Sequence, residues 1–263
     1  MTKVHHLVGG YLHAPPRPRV ICHCLLLEDA SGLALVDTGI GLLDVEAPLA
    51  RVGREAIEAA GFLFNQSDTL VRQMERLGFD PADVAHVVLT HADPDHAGGL
   101  ADFPRAKVYV SAEELAALRR GHPRYRAPQF VHGPDWRTWD GADHEWFGIP
   151  ARRLNLDFQS EVLLVPLFGH TSGHCGVAIR QAGDAWLLHA GDAYYLRAEL
   201  TTDFHPVSEL AAANAIDDGE RRRSLAILNR LDREHGGRVR ILGYHDPSEL
   251  AEVPARGSRG PGR

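Results

Sequence analysis

The segment Thr90-His91-Ala92-Asp93-Pro94-Asp95-His96-Ala97-Gly98-Gly99 constrains this chain more than any other feature. Four potential metal ligands, His91, Asp93, Asp95 and His96, fall close together directly after an apolar run of strand length, residues 84–90. Imidazole and carboxylate together suit zinc, iron or manganese. Pro94 restricts itself and Asp93 to extended or turn geometry, so the segment reads as a loop in which side chains can converge. The competing reading is a solvated polar turn before a helix that begins near Gly98.

Three later segments weigh against that competitor. Gly169-His170-Thr171-Ser172-Gly173-His174, Ala190-Gly191-Asp192 and Gly243-Tyr244-His245-Asp246 each follow an apolar run of strand length. A metal site on the edge of a sheet requires strand ends of this kind. Most of the 16 histidines carry no such signal. Residues His5, His6, His13, His86, His122, His132, His144, His205 and His235 have no acidic or histidine partner at ligand spacing.

The remaining pattern is that of an α/β sandwich. Residues 20–28 and 33–37 read as a hairpin turning at Asp29-Ala30-Ser31-Gly32, and its second strand ends in Val36-Asp37-Thr38-Gly39. Ser67 can cap a helix running to about Leu77, with Gly78 as its stop. Residues 107–111, 162–167, 175–180, 185–189 and 239–242 read as strands, and 112–120 and 220–234 as helices. Between 121 and 159 the patterning fades, although this stretch holds Trp136, Trp139, Trp146 and Phe147. Strands, helices, strands again and a closing helix and strand suit a sandwich better than an alternating parallel sheet.

Composition narrows the function. With 44 % hydrophobic and 24 % charged residues the chain is ordinary globular material, apart from a Gly-, Pro-, Ser- and Arg-rich tail at 255–263 expected to be disordered. No apolar run approaches the ~20 residues that a membrane span needs. The net charge of −7 speaks against nucleic acid as a partner. Residues 1–10 lack the apolar core and cleavage site of a secretory leader, and the odd count of 3 cysteines fits a reducing cytoplasm. Cys22 and Cys24, on one face of a strand, read as buried small hydrophobes.

Taken in order, the four ligand-bearing segments resemble the metallo-β-lactamase superfamily from about Cys24 to His245, and Val36-Asp37-Thr38-Gly39 and residues 169–174 are similar to family segments. The resemblance implies an αββα sandwich: two mixed β-sheets with outer helices and metals at one edge, in a single domain over 1–254 with lid-like inserts at about 44–66 and 121–160. By motif position His91, Asp93 and His170 would hold one metal, and Asp95, His96 and His245 a second, with Asp192 bridging. His174 and Asp37 would be structural.

The sequence departs from the family pattern His-x-His-x-Asp-His at its second histidine, which here is Asp93. A carboxylate oxygen lies as many bonds from Cβ as the nearer ring nitrogen, so Asp93 can reach the metal without a backbone shift. The third carboxylate brings two divalent ions and one hydroxide to zero charge instead of plus one. That favours iron or manganese, with zinc the family's usual metal. The other reading turns Asp93 away and leaves one metal.

The activity implied is hydrolysis of a small lactone or ester by a metal-bridging hydroxide, with Asp95 handling its proton. Within Asp192-Ala193-Tyr194-Tyr195, Tyr195 stands where quorum-quenching N-acyl homoserine lactonases carry a substrate-binding tyrosine. The aromatic stretch 136–147 and residues 59–64 wall an acyl pocket, or else cover core or a homodimer interface. The alternatives are a mononuclear or di-iron redox enzyme of the same fold, and a non-catalytic metal-binding member.

Overall fold

The computed structural model describes residues 1–139, 141–202 and 205–251, so the tail expected at 255–263 lies outside the described residues. The first half of the chain builds one sheet from β1 (Lys3–Leu12), β2 (Val20–Asp29), β3 (Gly32–Val36), β4 (Phe62–Leu63), β5 (Val84–Val88), β6 (Lys107–Ser111) and β7 (Asp135–Trp139). The second half builds another from β8 (His144–Trp146), β9 (Ile149–Leu154), β10 (Val162–Pro166), β11 (Cys175–Arg180), β12 (Trp186–His189) and β13 (Val239–Leu242). Their orders are β4-β1-β2-β3-β5-β6-β7 and β13-β12-β11-β10-β9-β8. Both are mixed: β3, β5, β6 and β7 run parallel in the first, and β12 and β13 in the second.

Side-chain alternation explains the layers. On β2, Leu25 and Leu27 face the second sheet and meet Val162, Leu164, Val177 and Leu187. The intervening Cys22, Cys24 and Leu26 face outward onto Val71, Met74 and Leu115 of the helices Leu70–Arg76 and Ala112–Arg119. The second sheet repeats this arrangement, with Leu163, Val165 and Leu188 packed on Leu228 and Leu231 of the helix Asp218–His235. Strands buried on both faces read as near-continuous apolar runs, which is why these were prominent in the sequence. The αββα sandwich is as expected, and both cysteines of β2 are fully buried and free.

Three local readings need correction. Pro94 does not hold its segment in a loop: Pro94–Ala97 is one helical turn with proline at the first position, where its missing N–H costs nothing. Ser67 caps no helix. It lies in the short 3₁₀ turn Gln66–Asp68, whose cap is Asn65, and Leu70–Arg76 starts afresh after Thr69. The stretch 121–160, where regular patterning fades in the sequence, nevertheless supplies the three strands β7, β8 and β9. β7 and β8 are the edge strands of their sheets and β9 lies beside β8, and β7 (Asp-Trp-Arg-Thr-Trp) leaves its side chains exposed or half-buried, so it lacks the apolar alternation of a buried strand.

The turn after β3 locks the first sheet to the motif segment. Thr38 N–H donates to His96 O at 2.8 Å, and Gly99 N–H to Gly39 O at 3.1 Å. Gly39 has φ +65°, and a Cβ there would run into the backbone of Gly9 on β1. Left-handed strain and overpacking add at this position. Gly39→Ala is expected to lower stability by about 3 kcal/mol or more, read as a urea midpoint. A shift under ~1 kcal/mol would mean that the turn is free to relax.

Candidate metal centre

The ligand-bearing segments start where β5, β10, β12 and β13 end, and they meet at one edge of the sandwich. Backbone bonds bring the last of them in: Ile21 N–H donates to His245 O (3.3 Å) and His23 N–H to Tyr244 O (2.9 Å), stitching the end of β13 to β2. Glu114, fully buried, ties two others together. Its carboxylate accepts from Ala92 N–H at 2.9 Å, Thr171 Oγ1 at 2.6 Å and Gly173 N–H at 3.2 Å.

Three imidazoles are oriented through Nδ1. His91 Nδ1 lies 3.0 Å from Thr90 Oγ1, His96 Nδ1 2.9 Å from Asp37 Oδ2 and His245 Nδ1 2.9 Å from Ile21 O. Thr90 spends its own hydroxyl proton on Asp37 Oδ2 at 2.8 Å, and Thr90 N–H donates to Asp37 Oδ1 at 2.8 Å. Asp37 thus holds the segment from below. Each of these rings therefore turns an Nε2 lone pair inward.

The atoms that meet there are nearly all acceptors. Asp93 Oδ2 lies 3.3 Å from His91 Nε2 and 3.2 Å from His170 Nε2. Asp192 sits between the two groups, with Oδ2 3.4 Å from both His170 Nε2 and His245 Nε2, and Oδ1 3.4 Å from His96 Nε2. Asp95 Oδ2 is 3.6 Å from His245 Nε2 and 3.8 Å from His96 Nε2. The Nε2 atoms of His91 and His96 and Oδ1 of Asp192 are buried and have no hydrogen-bond partner among the described residues.

Buried acceptors facing one another are costly unless a cation lies between them. Ligand atoms about 3.3–3.4 Å apart are what a tetrahedral ion with ~2.0–2.1 Å bonds requires. Burial opposes a positive charge on His96, yet Asp192 and Asp95 outweigh it and push its pKa well up. His91, His170 and Asp192 form one group able to hold an ion, and Asp95, His96 and His245 another. The residues present therefore fit two metal ions, and Asp93 stands beside the first group with one oxygen turned in. The expected residues all come together.

His174 takes the structural role expected of it. Its Nδ1 donates to Leu167 O at 2.9 Å and its Nε2 accepts from Asp192 N–H at 2.9 Å. Burial keeps the ring neutral, its pKa pushed down to about 3.

Above the edge lies a cavity of about 790 Å³, floored by Asp93, Asp95, His170, Asp192 and His245. Leu12, Val20, Ala59, Phe62, Val207 and Leu210 wall it with apolar surface. Of the expected walls, Ala59, Ala60 and Phe62 line it. The aromatic stretch does not: Trp136 packs on Phe130, Trp139 stacks on Tyr109, and Trp146 meets Trp186 edge-on. Tyr195 does reach the cavity, its ring edge-on to His170 and His245, and its hydroxyl accepts from Asn214 Nδ2 at 3.4 Å. Burial, with Asp192 close by, raises its pKa, so the phenol keeps its proton.

Sequence reasoning missed Arg124. Its Nε donates to Asp93 Oδ1 at 2.5 Å, its Nη2 to His170 Nε2 at 2.7 Å, and its Nη1 to Asn214 O. An arginine in a turn after a helix carries no periodic or spacing signal. The helix Val207–Asn214, the far wall of the cavity, was equally silent.

Residues 17–239 match the metallo-beta-lactamase superfamily. A probable metallo-hydrolase of Mycobacterium tuberculosis is 39% identical over 256 residues, which cover 94% of this chain and 81% of the relative. An N-acyl homoserine lactonase of Bacillus thuringiensis is 32% identical over 182 residues, 66% of this chain and 64% of the relative. Among solved structures, an N-acyl homoserine lactone hydrolase with the product N-hexanoyl-L-homoserine bound at its catalytic metal center superposes with a TM-score of 0.73 at 19% identity, over 97% of both chains. A dizinc quorum-quenching lactonase gives 0.62 at 18% identity, over 94% of this chain and 88% of that one. No helix among the described residues is long and apolar enough to cross a membrane.

The support beneath the centre can be tested at Asp37, which accepts from three donors and lies outside the ligand set. Asp37→Asn replaces one acceptor oxygen with an amide, which must face a donor, and the new side chain still tolerates the left-handed φ of 56°. Zinc affinity measured by competition with a chromogenic chelator is expected to fall about 10- to 100-fold. An unchanged affinity would show that His96 needs no such partner.

Proposed function

Since the chain belongs to the metallo-β-lactamase superfamily, whose relatives include metallo-hydrolases, we propose that it hydrolyses a lactone or ester carrying an apolar acyl chain. One observation carries this reading. The converging histidines and aspartates form the floor of a cavity whose walls are mainly apolar, with Arg17, His205 and Asn214 as polar exceptions. A substrate with a carbonyl at one end and a hydrocarbon chain at the other is complementary to it.

His91, Asp93 and His170 would hold one divalent ion, and Asp95, His96 and His245 the other, with Asp192 shared. Bound there, the ions would acidify water and polarise the substrate carbonyl. The protein supplies the remainder. The shell of Thr90, Asp37 and Ile21 keeps the ligand nitrogens aimed, so that little reorganisation accompanies the reaction. Asp95 steers the attacking water and receives its proton on a carboxylate oxygen. Tyr195 keeps its phenolic proton and donates a hydrogen bond to the carbonyl or leaving oxygen. The cavity walls remove the acyl chain from water and hold the carbonyl over the floor. The lactonase likenesses support this substrate class, and the lactonase with bound product offers a precedent for such a ligand at a metal center.

Protein purified without added metal is expected to carry about two equivalents of zinc, iron or manganese by elemental mass spectrometry, and to open N-acyl homoserine lactones or cleave aryl esters. Asp192→Asn is expected to reduce turnover to background while leaving the circular dichroism spectrum unchanged. Full activity in that variant would remove the two-metal mechanism. Tyr195→Phe is expected to lower kcat on the order of 10²-fold with metal content unaltered. If kcat holds and only KM moves, the tyrosine binds substrate without assisting the chemistry.

A further inference from the structure

We propose that Arg124 is a positioning residue that makes the two metals load in sequence, the Asp95–His96–His245 side before the His91–Asp93–His170 side. The inference rests on the metal-hydrolase reading above and concerns how the centre is assembled.

A guanidinium is always protonated, so at 2.7 Å Arg124 Nη2 is the donor and His170 Nε2 the acceptor. Nε2 has one lone pair, and that pair is already committed. A metal on this side must take it from Arg124 and then lie close to a fixed positive charge. On the other side, among the described residues, no side-chain cation competes with the metal for its ligands. Among the described residues His96 Nε2 has no hydrogen-bond partner, and His245 Nε2 lies against the carboxylates of Asp95 and Asp192.

Arg124 also orients Asp93. Its Nε holds Oδ1, which leaves Oδ2 between His91 and His170. Asp93 adds a negative charge where the family pattern has a neutral histidine, and Arg124 returns the positive one. Aspartate and arginine together thus replace a histidine with little change in net charge, at the cost of a competing cation. Helix Val207–Asn214 fixes the arrangement by accepting Nη1 at Asn214 O.

The test is a calorimetric titration of chelator-stripped protein with Zn²⁺. The wild type is expected to show two classes of site at least about tenfold apart in Kd, or about 1.4 kcal/mol at 25 °C. His170→Ala should remove the weaker class and His245→Ala the tighter. Arg124→Gln, which has no charge, should narrow the gap to about threefold or less. Arg124→Lys, which keeps the charge, should preserve it. A purely structural arginine would lower thermal stability in both variants without moving the ratio of the two constants. Two indistinguishable classes in the wild type, or a gap that survives Arg124→Gln, would overturn the inference and leave the hydrolase reading standing. A wild type that binds no Zn²⁺ would overturn both.

Discussion

Everything at this site depends on hydrogen bonds that the three inward-facing imidazoles make away from it. His91, His96 and His245 each spend Nδ1 on an oxygen of the protein: a threonine hydroxyl, an aspartate and a backbone carbonyl. A histidine whose Nδ1 is so engaged has a fixed tautomer and a fixed ring plane, and its Nε2 can only point inward. The sandwich exists, in this sense, to hold Thr90, Asp37 and Ile21 still. The turn after β3 is packed against β1 at Gly9 and Gly39, and β2 is bonded to the end of β13.

Much of the centre was legible in the sequence because its ligands follow strands. An apolar run buried on both faces stands out, and a histidine or aspartate directly after it occupies a sheet edge whatever the rest of the chain does. His91, His96, His170, Asp192 and His245 were readable on that ground. The layers were legible for the same reason, since β2, β5, β10, β11 and β12 are apolar along their length. What was not legible depends on tertiary partners. β7 carries exposed charges, and only its pairing with β6 makes it a strand. Pro94 looked like a helix breaker, yet at the first position of a turn it is a helix starter. Arg124, Glu114 and Asn214 act through contacts across sequence distances for which a single chain gives no period.

The aspartate in place of histidine looked, from the sequence, like a simple rise in negative charge at the site. Arg124 changes that account. With Arg124 beside it, Asp93 would bring an oxygen to the site without the full electrostatic consequence, so the extra carboxylate is weaker ground for iron or manganese beside zinc, the family's usual metal. The same arginine reaches Asn214 on the wall of the cavity, so the floor and one wall are mechanically joined.

The division of the chain between the two sheets has a consequence for biosynthesis. His91, Asp93, Asp95 and His96 emerge from the ribosome with the first sheet, whereas His170, Asp192 and His245 belong to the second. Neither half holds a complete set, and His245 follows β13, the last strand among the described residues. A nascent chain can therefore present only a fragment of the centre until residue 245 has been made. Any metal that the complete centre holds would then enter after the two sheets have docked.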